Sequence, residues 1–346
     1  MHYSLPLSVK DYPTWLQGTW AGVDLFFVIS GYVITKSLLR EGHLPLAAAL
    51  RSTYIKRFFR LFPSCLLILT LFLICCRYFN LGKSFPPFNE SLAEIPYILL
   101  YVYNFAVKNL PAHLGWHWSL SIEEQFYLMY PLLFFITKNK RALAIGLIIA
   151  IALITIIIRP VYAAFHSGEG LWPAFLTPTF LRIDAIAAGC VLALFQIKIN
   201  FSKSLKIILA VACTIIIFIA GGYLKGTPEL LFPINVLSGA VLVNLASEQG
   251  SLFPVNRPLS AIGEWSYVLY LLNIPMLYFT NELYFRLTAV QIKKAPFDHA
   301  ILVLSIATML TFILAHLIHK FIEQPMIQLA KRLSLFTKDY TKQRIL

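Results

Sequence analysis

Apolar stretches long enough to enter a bilayer recur from one end of this sequence to the other. They fall near 22–39, 61–79, 92–108, 118–136, 142–158, 178–197, 205–223, 230–247, 264–282 and 298–321. Hydrocarbon offers no water to backbone N–H and C=O groups, so a spanning segment must be a helix or part of a closed barrel. A spanning helix needs about 20 apolar residues, and stretches of about that length recur here from end to end. Charged residues make up 13% of the 346, where a soluble domain carries about a quarter. No interval between the stretches leaves room for a separate soluble domain. The expected fold is all-α, a polytopic transmembrane helix bundle.

The formal charge of +13 does not point to nucleic acid, because of where it sits. Five Lys/Arg lie between Arg40 and Arg60 against one acid, Glu41, and six lie from Lys320 onward against two. Basic clusters beside apolar spans mark cytoplasmic loops and attract anionic lipid head groups. They can also hold a phosphate-bearing ligand. On this rule both the 40–60 loop and Lys138-Asn-Lys140-Arg141 are cytoplasmic. Only an even number of crossings can join them, yet three apolar stretches lie between. The weakest is 92–108, interrupted by Pro96 and carrying Tyr97, Tyr101, Tyr103 and Asn104. It is expected to be re-entrant or interfacial, which leaves about nine crossings and a cytoplasmic C-terminus. The same map puts Lys293 and Lys294 outside, against the rule. Cys65, Cys75, Cys76, Cys190 and Cys213 all fall in apolar stretches, where cysteine behaves as a small hydrophobe. No metal-ligand spacing appears among them, and no internal repeat of the transporter kind is evident.

Polar residues inside such stretches carry the chemical information, since hydrocarbon tolerates them only where protein or water covers them. The stretch Gly22–Thr35 carries Asp24 near its entry and a Ser30-Gly31 step near its middle. In Trp116-His-Trp-Ser-Leu-Ser-Ile-Glu-Glu-Gln-Phe-Tyr127, residues Ser119, Glu123 and Tyr127 recur at four-residue spacing and share a helix face, with Glu124 elsewhere. A carboxylate at the centre of a membrane helix costs about 2.5–3.5 kcal/mol, so Glu123 needs a cation, a proton or a hydrogen bond. Alternatively it lies in the first turn at the interface, favoured by the helix dipole. Arg57 and Arg60, at i and i+3, project from one face at a cytoplasmic boundary and suit phosphate oxygens; ordinary positive-inside flanking is the alternative. Arg182 and Asp184, at i and i+2, cannot face each other, so each needs a partner on another helix or at the outer interface. Ala185, Ala187, Ala188 and Gly189 permit close helix packing there. His2 is a possible general base by residue type alone.

Six of these segments, taken in order, resemble acyltransferase family 3: Gly22–Thr35, Arg57-Phe-Phe-Arg60, Trp118–Pro131, Phe180–Gly189, Ser266-Tyr267…Tyr270-Leu271, and Ile322-Glu323-Gln-Pro325. These are bacterial membrane O-acyltransferases of polysaccharides and related envelope glycans, and the resemblance spans essentially the whole chain. It implies an acyl-CoA donor, usually acetyl-CoA, entering from the cytoplasm, a polysaccharide or lipid-linked glycan acceptor, and no metal. It implies that Arg57 and Arg60 hold the donor's phosphates, that Glu123 fills the family's acidic position, and that His2 is the catalytic base at the end of the family's first helix. That helix, with an Arg eleven residues before the histidine, would precede residue 1. Asn273, in Leu-Leu-Asn-Ile-Pro, stands where many members carry His and can still donate and accept a hydrogen bond.

The sequence is thus expected to hold a membrane acyltransferase domain over 1–330 and a basic cytoplasmic tail over 331–346, in the bacterial inner membrane. His2, Glu123 and Asp24 are the candidate catalytic residues, Arg57 and Arg60 the donor-binding ones. Ser30, Ser119, Tyr127, Arg182, Asp184, Asn273 and Glu323 are supporting polar residues. The alternatives are a transporter or flippase of a lipid-linked glycan, and an inactive truncated acyltransferase.

Overall fold

The computed structural model describes residues 21–80, 84–166, 174–196, 201–224, 226–247, 257–291 and 297–343, and among these it is helical with no strand. In chain order the helices are α1 (Gly22–Glu41), α2 (Leu46–Tyr78), α3 (Phe88–Leu99), α4 (Tyr103–Ala106), α5 (His117–Ile136), α6 (Lys140–Leu153), α7 (Arg159–Phe165), α8 (Thr179–Phe195), α9 (Lys203–Tyr223), α10 (Pro228–Ser247), α11 (Arg257–Thr288), α12 (Phe297–Ile318) and α13 (Gln324–Gln343). Six stretches of described helix are long and apolar enough to cross a bilayer: Gly22–Glu41, Leu46–Tyr78, Lys140–Phe165, Lys203–Tyr223, Pro228–Ser247 and Asp298–Ser334. Large apolar side chains on them face outward, as Ile208, Val211 and Ile215 do on α9 and Leu237 on α10. This is a surface for lipid, and the chain is a multi-pass membrane protein.

Two five-residue π turns interrupt these helices, Ile154–Ile158 between α6 and α7 and His319–Glu323 between α12 and α13. Each is followed within two residues by a proline, Pro160 or Pro325. Proline cannot donate to the carbonyl four residues back, and its ring crowds that carbonyl. A widened turn just ahead of it relieves the clash, and such bulges collect at functional positions.

The stretch 92–108 is not one helix. Its α3 has 12 residues, about 18 Å at 1.5 Å per residue, where the hydrocarbon core is about 30 Å thick. Tyr101 then takes a left-handed backbone, φ 54°, and α4 follows with only four residues.

Backbone contacts group the described helices into two compact units. One holds α2, most of α3, α11, α12 and α13; the other holds α1, the end of α3 and α4 to α10. In the second unit α1 packs closely on α8. A Cβ at Gly31 would lie 1.8 Å from the Ile186 carbonyl oxygen, and one at Gly189 would lie 1.9 Å from that of Val28. Each helix thus presses its backbone into the other's glycine, which is why the Ser30-Gly31 step and the small residues of α8 occur where they do. Below the crossing Ile34, Leu38, Tyr130, Phe134, Leu143 and Cys190 form an apolar core. In the first unit Phe72, Phe85 and Tyr278 meet with ring centroids 5.9–6.0 Å apart, and the Tyr267 hydroxyl donates to the Leu61 carbonyl at 3.1 Å.

Candidate functional site

The glycine-to-backbone crossing brings Asp24 of α1 beside Arg182 of α8, and the two form an ion pair in which neither side chain is more than 1% exposed. The second Asp24 oxygen accepts from Asn235 Nδ2 of α10 at 2.8 Å. Two residues along α8, Asp184 points to a different partner: Arg159 Nη2, at the start of α7, reaches its Oδ2 at 2.8 Å and the Leu181 carbonyl at 2.6 Å. The i, i+2 pair therefore finds two separate partners on two other helices, as the helical spacing requires. The Phe232 ring lies beneath both guanidiniums, 3.9 Å from Arg182 and 4.9 Å from Arg159. Two acids and two arginines are thus buried together as a neutral quartet, which avoids an uncompensated charge.

Further along α1 the Ser30 hydroxyl donates to Glu123 Oε1 of α5. Glu123 is buried and lies past the first turn of α5, which starts at His117. Ser119 and Tyr127, one turn to either side, are buried with it; Ser119 donates to the Trp116 carbonyl at 3.4 Å, and Tyr127 belongs to the apolar core. On another face of α5, Gln125 closes a ring of side chains with Asn104 and Thr179. Gln125 Nε2 donates to Asn104 Oδ1 at 2.8 Å, Asn104 Nδ2 to Thr179 Oγ1 at 2.9 Å, and Thr179 Oγ1 to Gln125 Oε1 at 2.6 Å. Gln125 also donates to the Tyr101 carbonyl at 2.7 Å. This ring ties down the left-handed turn between α3 and α4.

The other unit carries the two sequence-predicted arginines. Both lie on α2, which starts at Leu46 and so includes the basic segment that the apolar pattern left as a loop. The Arg60 side chain is 48% exposed and its Nε stands 3.7 Å from Oε1 of Glu323, which is fully buried. Glu323 Oε2 accepts from His319 Nδ1 at 2.6 Å across the π turn. Asn273 on α11 is exposed, and its Oδ1 accepts from the backbone N–H of Ile274 at 2.6 Å. His2 lies outside the described residues.

Residues 2–320 match a family model described as an acyltransferase domain. The chain belongs to acyltransferase family 3. It is 30% identical over 337 residues to "O-acetyltransferase OatA" of Staphylococcus aureus, an alignment covering 90% of this chain and 53% of that protein. It is 29% identical over 339 residues to "Peptidoglycan O-acetyltransferase OatA" of Listeria monocytogenes, covering 90% and 52%. The chain therefore spans about half the length of these curated relatives. No solved structure matches it.

Within this acyltransferase domain several polar residues escaped the sequence reading. Arg159 follows directly on the run Ile154–Ile158, where it looks like an ordinary flank; a lone arginine just before Pro160 was the available signal. Asn235 sits without charge in an apolar stretch, and Gln125 hides beside two acids. His319 lies inside the apolar stretch 298–321, and its i, i+4 spacing to Glu323 was readable.

Proposed function

We propose that this chain is a membrane O-acetyltransferase that moves an acetyl group from acetyl-CoA to a hydroxyl of a cell-wall polysaccharide. The match to the family over 2–320 carries this reading, and the names of the relatives support the acetyl group and the wall acceptor. The proposed setting is the bacterial inner membrane, with about nine crossings, a non-crossing 92–108 segment and residues 331–346 as a cytoplasmic tail.

The donor is an anion with several phosphates. Arg57 and Arg60 are the residues proposed to hold them, since a half-exposed guanidinium offers forked N–H donors to phosphate oxygens. Neutral His2 takes the proton from the glycan hydroxyl as general base. The alkoxide oxygen attacks the thioester carbonyl, the C–S bond breaks, and CoA leaves as thiolate to take up a proton. Glu123, held by Ser30, and the Asp24–Arg182 pair are proposed to orient the base and the developing oxyanion, as fixed dipoles and charges do in a site closed to water.

The test is acetyl transfer from labelled acetyl-CoA to wall polysaccharide by membranes of a strain lacking its own O-acetyltransferases, complemented with wild type, His2→Ala or Arg60→Ala. Transfer by wild type and its loss in both variants is the expected result. Full activity of both variants, or movement of a lipid-linked glycan without CoA release, would overturn the reading in favour of a carrier.

A further inference from the structure

His319 is a buried polar residue for which the reaction above has no use. It opens the π turn His319–Glu323, which packs against α2, and its ring is in contact with polar groups at both nitrogens. Nδ1 stands 2.6 Å from Glu323 Oε2 and Nε2 stands 3.2 Å from Gln324 Nε2. A carboxylate only accepts and an amide nitrogen only donates. The two partners therefore select one tautomer of the neutral ring, with the proton on Nδ1 and the lone pair on Nε2. Outside its own turn the ring meets Trp265 of α11, with centroids 6.5 Å apart, and Glu264 Oε2, which stands 3.8 Å from Nε2.

Glu323 is divided between two neighbours. Its Oε2 belongs to His319, while its Oε1 has no hydrogen bond among the described residues and faces Arg60 Nε across 3.7 Å. A carboxylate free to rotate about its terminal torsion would present either oxygen, or an edge between them. The short bond to His319 fixes which oxygen Arg60 meets. An orienting group behind a metal ligand or a base acts in the same way, by locking the rotamer of the residue it touches.

We propose that His319 is a positioning residue for the donor: through Glu323 it sets the Arg60 guanidinium in the orientation that receives a phosphate. It touches no substrate itself. This rests on the reading of Arg60 as a donor-binding residue. The role depends on a donor at the Nδ1 position and on nothing else about the imidazole. Asparagine carries an N–H₂ near that position, while the longer glutamine carries its amide near Nε2, away from Glu323.

The test uses the full chain purified in detergent, reading acetyl transfer against acetyl-CoA concentration and, separately, equilibrium binding of coenzyme A. His319→Gln is expected to raise the acetyl-CoA KM and weaken coenzyme A binding about tenfold, the loss of one charge-assisted hydrogen bond, with kcat within about twofold. His319→Asn is expected to restore both to near wild type. In an Arg60→Ala background His319→Gln should weaken coenzyme A binding no further. Equal behaviour of the Asn and Gln variants, a fall in kcat with KM unchanged, or an undiminished effect without Arg60 would each overturn the proposal. Wild-type protein that fails to use acetyl-CoA would instead overturn the function on which it rests. If the Gln variant does not accumulate, coenzyme A binding by the Asn variant decides alone: binding about tenfold weaker than wild type rejects the role.

Discussion

The two π turns of this protein solve the same backbone problem and leave different chemistry behind. Ahead of Pro160 the turn delivers Arg159 into a set of charges that is balanced: Arg159 on Asp184, Arg182 on Asp24, both guanidiniums against the Phe232 ring, and all four ionic side chains no more than 2% exposed. Ahead of Pro325 the turn delivers His319 and Glu323 into a chain that is open at one end, where Arg60 is half exposed. The charges of a buried neutral quartet are committed to one another, so it can bear on a substrate only through the groups it holds in place, and breaking it is costly. An open chain costs little to break because water screens its outer member, yet that member can meet an anion. Burial thus separates charges that act by holding neighbouring groups in place from a charge that can meet an anion directly.

The difference is open to attack by mutation. Asp24→Ala leaves Arg182 buried without its acid and is expected to cost about 3–5 kcal/mol, seen as a large fall in thermal midpoint in detergent; a shift of a degree or two would break the contrast. Gly31→Ala forces α1 and α8 apart at the Ile186 carbonyl, and about 3 kcal/mol should be lost by the same measurement. Arg60→Ala should move stability by under about 1 kcal/mol while acetyl-CoA-dependent transfer falls by about tenfold or more. Thr35→Val removes the 2.9 Å contact with the Tyr130 hydroxyl and the bond to the Gly31 carbonyl, and is expected to cost about 1 kcal/mol.

Much of the fold was legible because hydrocarbon permits so few structures. A long apolar run in such a composition has little choice but to be a helix. The pattern marked where lipid lies and not where helices end, so α2 begins at Leu46, fifteen residues before its apolar stretch. It also flagged 92–108 as unlike the rest, and that segment is broken at Tyr101. Buried polar positions were legible where a charge interrupted an apolar run, as at Asp24, Glu123, Arg182 and Asp184. Which charge meets which was not, because the partners are set by the crossing of α1, α7, α8 and α10. Arg159 was hidden by its place at the edge of a run, Asn235 by having no charge, and His319 by an apolar stretch that diluted it.

The most direct test measures two quantities on two variants: thermal midpoint and acetyl-CoA-dependent transfer for Asp24→Asn and Arg60→Ala. The expected outcome is a stability loss of several kcal/mol for Asp24→Asn and a wild-type midpoint with about tenfold slower transfer at low donor for Arg60→Ala. A stable Asp24→Asn protein together with an unfolded Arg60→Ala protein would contradict the division between the closed quartet and the open chain.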